Sequence, residues 1–556
     1  MSEFNLIDEA WIPCIALDGT RVEYGIRDTL VKAHELREIC DDSPLVTVAL
    51  HRMLLAILYR AYRGPGTLRD WSNLYAKGEF ASDDGIEAYL QGVYSKFFLF
   101  DDIYPFMQVV GLDLNEYAAN GTVRKDKSDG LMRLAREAPD KGGKLLFDHR
   151  TGTERPLYTP EQITKMILSA QCYLSTGVAS RGKIGTQQIH PANCQFCCCL
   201  TGVVLWLQGK NLFQTLLLNL VPQRYVQEDK PAWEDDNIVT KAINSWTQNI
   251  SFTGSIQRFV PLSRFIRVID KRSMFFTNGF KEAVDCEDPM ITYSRKSEED
   301  PYSTLKLDEN KAAWRDAHTL LTTESPLCRT PACINHMARL VENGLIEEEI
   351  YAVANIVGLA TNQGKCFLWR HERMPVPISL LLSPDIRERL STLMQGAEQV
   401  GRALSHGLYE INKKVKRKEP VGRMESIADL VLNPALEIRA PGILRTKENM
   451  SPGDAHNNEV YNLSKTLDPR PAYWARMETH FYELLEHLPG DWNEDLNEWK
   501  PEEQQLATLA WRRSIKREAQ RALEESIRAL GTTAKAIQAV ARVCTTFGDS
   551  DLNPTQ

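Results

Sequence analysis

Long apolar stretches are missing from this chain. Its longest run, around Leu200 to Leu207, falls far short of the roughly 20 apolar residues that span a bilayer, and the mean hydropathy is −0.34. Met1 to Asn5 has an acidic residue and no basic stretch ahead of an apolar core, so an export signal is not expected and the cytoplasm is the expected compartment. Cysteine is sparse. Twelve in 556 residues, scattered along the chain, exclude a disulfide scaffold. One cluster, Cys194 to Cys199, contains a C-x-x-C pair (Cys194 and Cys197), but a closed zinc site takes four ligands and no second such pair exists. The cluster runs directly into the apolar Leu200 to Leu207, so packed thiols are expected rather than a metal, and no cofactor is expected either. The eleven histidines are dispersed, with no H-E-x-x-H and no G-x-S-x-G, which removes the commonest zinc-protease and serine-hydrolase patterns. An excess of positive charge is also absent. Lys and Arg number 66 against 74 Asp and Glu, a net charge of −8. That balance argues against a protein gripping nucleic acid alone, and leaves room for a subunit whose contacts are few, local and shared.

What is present is a soluble-type composition, 43% hydrophobic and 25% charged, in a chain too long for one ordinary core. Two textures divide it. Residues 1–380 mix short β-rich runs (Phe4 to Cys14, Phe259 to Ile269) with helical patterns such as Leu45 to Tyr62, which predicts a buried helix. Asn120 to Lys144 reads as a long polar loop and Asp285 to Asp308 as a polar excursion. Beyond Pro375 and Pro377 the pattern turns helical. Apolar residues advance by three or four from Ile386 to Val415; further helices are predicted at about Met424 to Leu432, Arg470 to Leu488, and after Pro501. The last carries Leu506, Leu509, Ile515, Ala519, Leu523, Ile527, Leu530, Ala534, Ile537 and Val540 as its expected stripe. The expected fold class is α+β: a large mixed α/β N-terminal domain (1–380) followed by a C-terminal four-helix bundle (381–556). No solenoid repeat is visible.

The sharpest enzyme-like signal is Gly177-Val178-Ala179-Ser180-Arg181-Gly182-Lys183, which matches G-x-x-x-x-G-K. A P-loop needs a Ser or Thr next, to hold magnesium, and a strand before it; here Ile184 follows and a helical pattern precedes. A P-loop-like nucleotide-binding enzyme is therefore the rival reading. Two others stay open for the same residues: a backbone-plus-cation contact to an anion through Gly177, Arg181, Gly182 and Lys183, or a basic surface turn. Asn362-Gln363-Gly364 lies between runs that could be strands and predicts a hairpin tip. Amides at such a tip can reach base edges or wedge between base pairs, although most tips are only turns. Basic runs at Lys413 to Lys418 and Arg512 to Arg521 either complement helix ends or form a track for a nucleic-acid strand.

With these residues laid out, the chain resembles the CasA family, the large subunit of the type I-E CRISPR surveillance complex Cascade. The segments that carry the likeness are Phe4 to Pro13, Tyr104-Pro105-Phe106-Met107-Gln108, Leu145 to His149, Lys230 to Glu234, and Met477 to Tyr482, in that order. The resemblance implies no catalytic site. It implies recognition of a protospacer-adjacent motif in double-stranded DNA, help in opening the duplex for guide-RNA pairing, and recruitment of a helicase-nuclease. The implied partners are the other Cascade proteins, guide RNA, target DNA and that helicase-nuclease, with no membrane. By position, Asn362 and Gln363 fall on the family's wedge hairpin and Gly177 to Lys183 on its glycine loop. Phe147 and His149 fall on a loop near the guide RNA's 5′ end, and either Lys271 or Lys281 supplies a minor-groove lysine. The glycine loop is poorer in glycine than the family's, and no C-x-x-C pair follows Phe265 to Asp270.

Overall fold

The computed structural model describes residues 4–80, 85–135, 155–174, 180–192, 198–281, 287–321, 325–346, 352–362, 365–416, 467–489, 492–493, 498–499 and 501–529. The chain forms two compact units, one of Met1–Ala313 with Thr319–Leu382, the other of Trp314–His318 with Ser383–Gln556. It is a mixed α+β protein with several small antiparallel sheets and a helical C-terminal part.

The first unit opens with β1 (Ile12–Ala16), β2 (Arg21–Tyr24) and β3 (Leu36–Ile39), in the order β2-β1-β3. The predicted buried helix follows as α1 (Pro44–Tyr62). Ser43 caps it by accepting from the Val46 N–H at 3.4 Å, Pro44 fills the first turn where no amide bond is lost, and Arg63 ends it in the left-handed region at φ 50°. Every residue from Pro44 to Tyr59 is buried. A helix apolar on all sides belongs in a core, and although this one is long and apolar enough to cross a membrane, it sits inside the first unit. Even its fully buried arginine is accounted for: Arg52 donates to both carboxylate oxygens of buried Asp288, at 2.9 and 2.6 Å.

Next come β4 (Leu112–Asp113) and α2 (Pro160–Tyr173), the latter opened by a reciprocal cap between Thr159 and Gln162. β5 (Gly182–Ile184) and β6 (Gln187–Ile189) form a short hairpin against β4. β7 (Val204–Gln208) is fully apolar at its start and joins a sheet completed much later in the chain. β8 (Arg264–Val268) pairs with β9 (Ser273–Asn278), whose other edge takes Asp129–Gly130. The described start of the expected long loop is therefore pinned by strand pairing, through local turns that its polar composition hides. The sheet around β7 is finished by β10 (Ala352–Asn362) and β11 (Lys365–Val376), in the order β7-β10-β11. Pro375 lies on β11, an edge strand, where its missing amide costs no ladder bond.

The second unit holds three long described helices, α3 (Pro384–Lys416), α4 (Arg470–His487) and α5 (Pro501–Arg528). The segment predicted at Met424 to Leu432 and the end of the last stripe, Leu530, Ala534, Ile537 and Val540, lie outside the described residues. On α3, Ile386, Leu390, Leu393, Ala397, Val400 and Leu404 are buried as the periodicity predicts. On α5 the stripe needs correcting. Leu506 is 64% and Leu509 46% exposed, while Ala507 and Trp511 lead into Ile515, Ala519 and Leu523 on the buried face. The large Trp511 indole, donating to the Leu393 carbonyl at 3.2 Å, sets the helix phase that two leucines would have set differently. Part of the basic surface on α5 is also compensated locally: buried Glu518 accepts from Arg517 at 2.7 Å and from Arg521 at 3.4 Å.

The five residues Trp314–His318 belong to this helical unit. Trp314 stacks on Phe481 at 4.9 Å, and Arg315 donates to Glu398 at 2.8 and 2.9 Å while lying 3.7 Å above the Trp474 ring. Gly401 admits that ring: a Cβ there would stand 3.0 Å from Trp474 Cζ2.

Candidate nucleic-acid interface

Among the described residues of the first unit, the β10–β11 hairpin is the longest paired element. β7 pairs only with Val353 to Val357, whereas β10 and β11 continue together to Asn362 and Lys365. Beyond β7 the two strands thus continue as a ribbon, which we call the arm, to the Asn362–Lys365 pair, with Gly358, Leu359 and Ala360 of β10 still buried. Asn362 is the last residue of β10, its partner Lys365 the first of β11, and Gln363 lies outside the described residues. The register shifts between Ala360 and Thr361, leaving Phe367 as the extra residue of a bulge, a device that adds local twist.

Rigid polar contacts hold the base of this arm. Asn355 is 1% exposed. His371 Nε2 donates to its Oδ1 at 2.8 Å, and its own Nδ2 donates to Gln208 Oε1 at 3.0 Å. Gln208 in turn donates to Glu38 Oε2 at 3.2 Å, and Arg373 closes the chain on the same carboxylate. Trp206 lies against both His371, at 5.6 Å, and His51, at 5.1 Å. Burial pushes His51 down to about 4, partly offset by its bond to the Thr47 carbonyl; burial and then the Arg373 charge lower His371 as well. Both rings are therefore neutral near pH 7 and keep their donor roles. On the other side Arg370 donates to the carbonyls of Lys311 and Glu309, at 2.9 and 2.7 Å, and Glu372 accepts from the Ala313 amide at 2.7 Å. Sequence reasoning missed this clamp. The available signal was a pair of polar residues, Asn355 and His371, inside otherwise strand-like runs.

The Gly-Lys motif is built differently. Gly177 lies outside the described residues, as do Phe147 and His149. Gly182 and Lys183 form a strand, β5, rather than the entry to a helix. Gly182 is there for close packing: a Cβ would come within 2.5 Å of both the Asp113 carbonyl oxygen and Leu114 Cδ2. Lys183 Nζ is held 3.4 Å from Asp113 and 4.7 Å from the Tyr117 ring centre, and Tyr117 donates to the same carboxylate at 2.6 Å. That bond to Asp113 raises the Tyr117 phenol above its ordinary value. A nucleotide-binding P-loop is overturned on these grounds, because it requires open amides leading into a helix and a lysine free to meet phosphate. Arg181, just ahead of the strand, is exposed.

The two candidate lysines sit at opposite ends of β9. Lys271 is in the β8–β9 turn, which Asp270 organises by accepting from the amides of Arg272 and Ser273 at 2.8 and 2.7 Å. Lys281 follows the far end, where Thr277 and Asn278 donate to the carbonyls of Ser180 and Ala192 at 3.1 and 3.0 Å. At about 3.3 Å per residue, roughly 17 Å of strand separates the ends. The end of β9 that leads to Lys281 is the one bonded to Ser180, the residue before Arg181. Among the described residues no three His, Cys, Asp or Glu side chains gather to hold a metal; Cys194 and Cys197 fall outside them.

Comparison with known proteins gives this geometry its setting. The CRISPR-associated protein Cse1 family model matches residues 5–522. The CRISPR-associated protein CasA/Cse1 of Thermus thermophilus is 28% identical over 557 residues, covering 99% of this chain and 97% of that protein. A crystal structure of CasA from Thermus thermophilus aligns with a TM-score of 0.74 at 25% identity, over 98% of this chain and 99% of that one. A subunit of a CRISPR RNA-guided surveillance complex shares the fold at a TM-score of 0.71 and 17% identity, over 98% of this chain and all of that one. With one family model spanning nearly the whole sequence, the chain belongs to the CRISPR-associated Cse1 (CasA) family.

Proposed function

We propose that this chain is the non-catalytic large subunit of an RNA-guided surveillance complex, and that it reads a short motif in double-stranded DNA and helps part the strands beside it. The observation that carries the reading is the clamped β-arm. A wedge must transmit force to a base stack without folding back, and parting a base step costs a few kcal/mol. The arm has a base locked by Asn355, His371, Arg370 and Glu372, and its sequence places Asn362 and Gln363 at its end. In this reading Gln363 is the wedge and Asn362 its neighbour at the base edge. Arg181 and Lys281 supply the cations beside the groove, Gly177 is the glycine that brings backbone close, Gly182 packs the strand after it onto β4, and Lys183 is an oriented cation whose field is partly spent on Asp113. Phe147 and His149 face the guide RNA. Lys271, at the other end of β9, contributes sequence-independent affinity at most. Base pairing with the guide then carries the sequence information, and the opened complex recruits a helicase-nuclease.

The test is target-duplex binding by the reconstituted complex with this subunit wild-type, omitted, or carrying Asn362→Ala with Gln363→Ala. Omission and the double change should both weaken binding to motif-bearing duplex and spare a pre-opened target. Intact duplex binding by the double variant would remove the wedge assignment, and no effect of omission would remove the function itself.

A further inference from the structure

Every other tryptophan whose side chain is described lies at 9% exposure or less, whereas Trp369 is 41% exposed. It sits on the outer part of β11, opposite Leu359 and three register pairs behind the tip pair Asn362–Lys365. Alternation along the strand puts it on the same sheet face as His371 and Arg373, but beyond the region where β7 completes the sheet. Exposed aromatic rings elsewhere in this unit already carry a cation: Lys96 is 3.6 Å from the Tyr104 centre and Lys183 is 4.7 Å from that of Tyr117. Among the described side chains none stacks on Trp369 in this way.

We propose that Trp369 is a stacking platform for a nucleobase of the target DNA, released where the arm parts the duplex. The proposal rests on the wedge reading and deepens it. Three register steps at about 3.3 Å each put the indole roughly 10 Å behind the tip. A strand rises about 3.4 Å per nucleotide, so the ring is level with a base about three steps from the tip. A base that has lost its partner exposes a π-face, and an indole is the side chain best suited to cover it. β11 carries Lys365, Arg370 and Arg373, of which Arg373 is paired with Glu38 and Arg370 lies 3.6 Å from Glu372, so the arginines stiffen the strand around the ring rather than offer it free charge. Arg370, fixed by two carbonyls, holds one of those charges next to the ring in sequence. A stack of this kind favours no particular base, so it stabilises opening without adding to motif choice.

The reconstituted complex tests this with duplexes carrying 2-aminopurine at successive positions beside the motif. Wild-type subunit should quench the probe at about the third position from the motif edge. Trp369→Ala should abolish that quench and weaken duplex binding about tenfold, with Trp369→Phe retaining most of the affinity. Quenching at no position, which the wild-type protein alone reveals, overturns the proposal. So does a Trp369→Ala complex that binds like wild type, or one that fails to assemble, which would make the indole a protein contact. Gln363→Ala, run alongside, separates the two ideas: a loss there without a loss at Trp369 leaves the wedge standing, and no loss at either removes both.

Discussion

Two hairpins of the first unit invite comparison. The β5–β6 hairpin carries the motif that looked most like chemistry, and its glycine and lysine are both engaged inside the protein. The β10–β11 hairpin carries only a turn pattern, yet its polar residues are arranged to hold an arm. Glycine and lysine report a tight backbone approach and a positive charge wherever they occur, and only the surroundings say whether a ligand receives them. Gly182 is pressed on β4 and Lys183 meets Asp113, so that pair is already in use. The strand ends at Asn362 and Lys365 have their support farther back, at Asn355 and His371.

That contrast can be broken experimentally, the largest effect first. Asn355→Ala strands the His371 donor and the Gln208 acceptor at the arm's base and should cost about 2–3 kcal/mol in chemical denaturation, with duplex binding lost in step. Gly182→Ala should cost about 2 kcal/mol by forcing β4 and β5 apart, and wild-type stability in that variant would break the packing account. A pH series sharpens the comparison further. The folded state holds His51 at about 4 and lowers His371, below the roughly 6.5 of a free imidazole. The unfolded chain therefore takes up protons that the folded clamp refuses. Its contribution is full above pH 6.5 and declines as pH falls towards about 4; melting curves of His371→Gln should show a flatter acid slope than wild type. Lys183→Ala, which loses a pair that is more than a third exposed, should cost under about 1 kcal/mol and leave duplex binding nearly unchanged. A large binding defect there would show that its charge does reach DNA.

Much of the fold was legible because periodicity is a local signal. α1 and α3 could be placed from apolar spacing, the start of α5 from Pro501, and the antiparallel strands on either side of Asn362 and Lys365 from the turn-forming residues between them. The errors share one cause, namely that contact across long sequence separations leaves no local trace. Nothing near Gly182 announces Asp113, and nothing in Leu506 or Leu509 reveals that Trp511 fixes the rotation of its helix. The clamp joins Glu38, Gln208, Asn355 and His371, four residues from four parts of the chain. Trp369 was visible as an aromatic beside the hairpin, but only its exposure against the burial of the others gives it meaning.

The short insertion at Trp314–His318 has a consequence for how such a protein can be cut or inherited. A gene fragment beginning at Ser383 would encode the long helices but not the indole on which Phe481 rests, nor the guanidinium that neutralises Glu398. Its product would expose two large rings and a bare carboxylate to water. A single crossover at that boundary would therefore pair this helical unit with another chain's residues at positions 314 and 315, and the Phe481 and Glu398 contacts would survive only where an aromatic and a cation stand there.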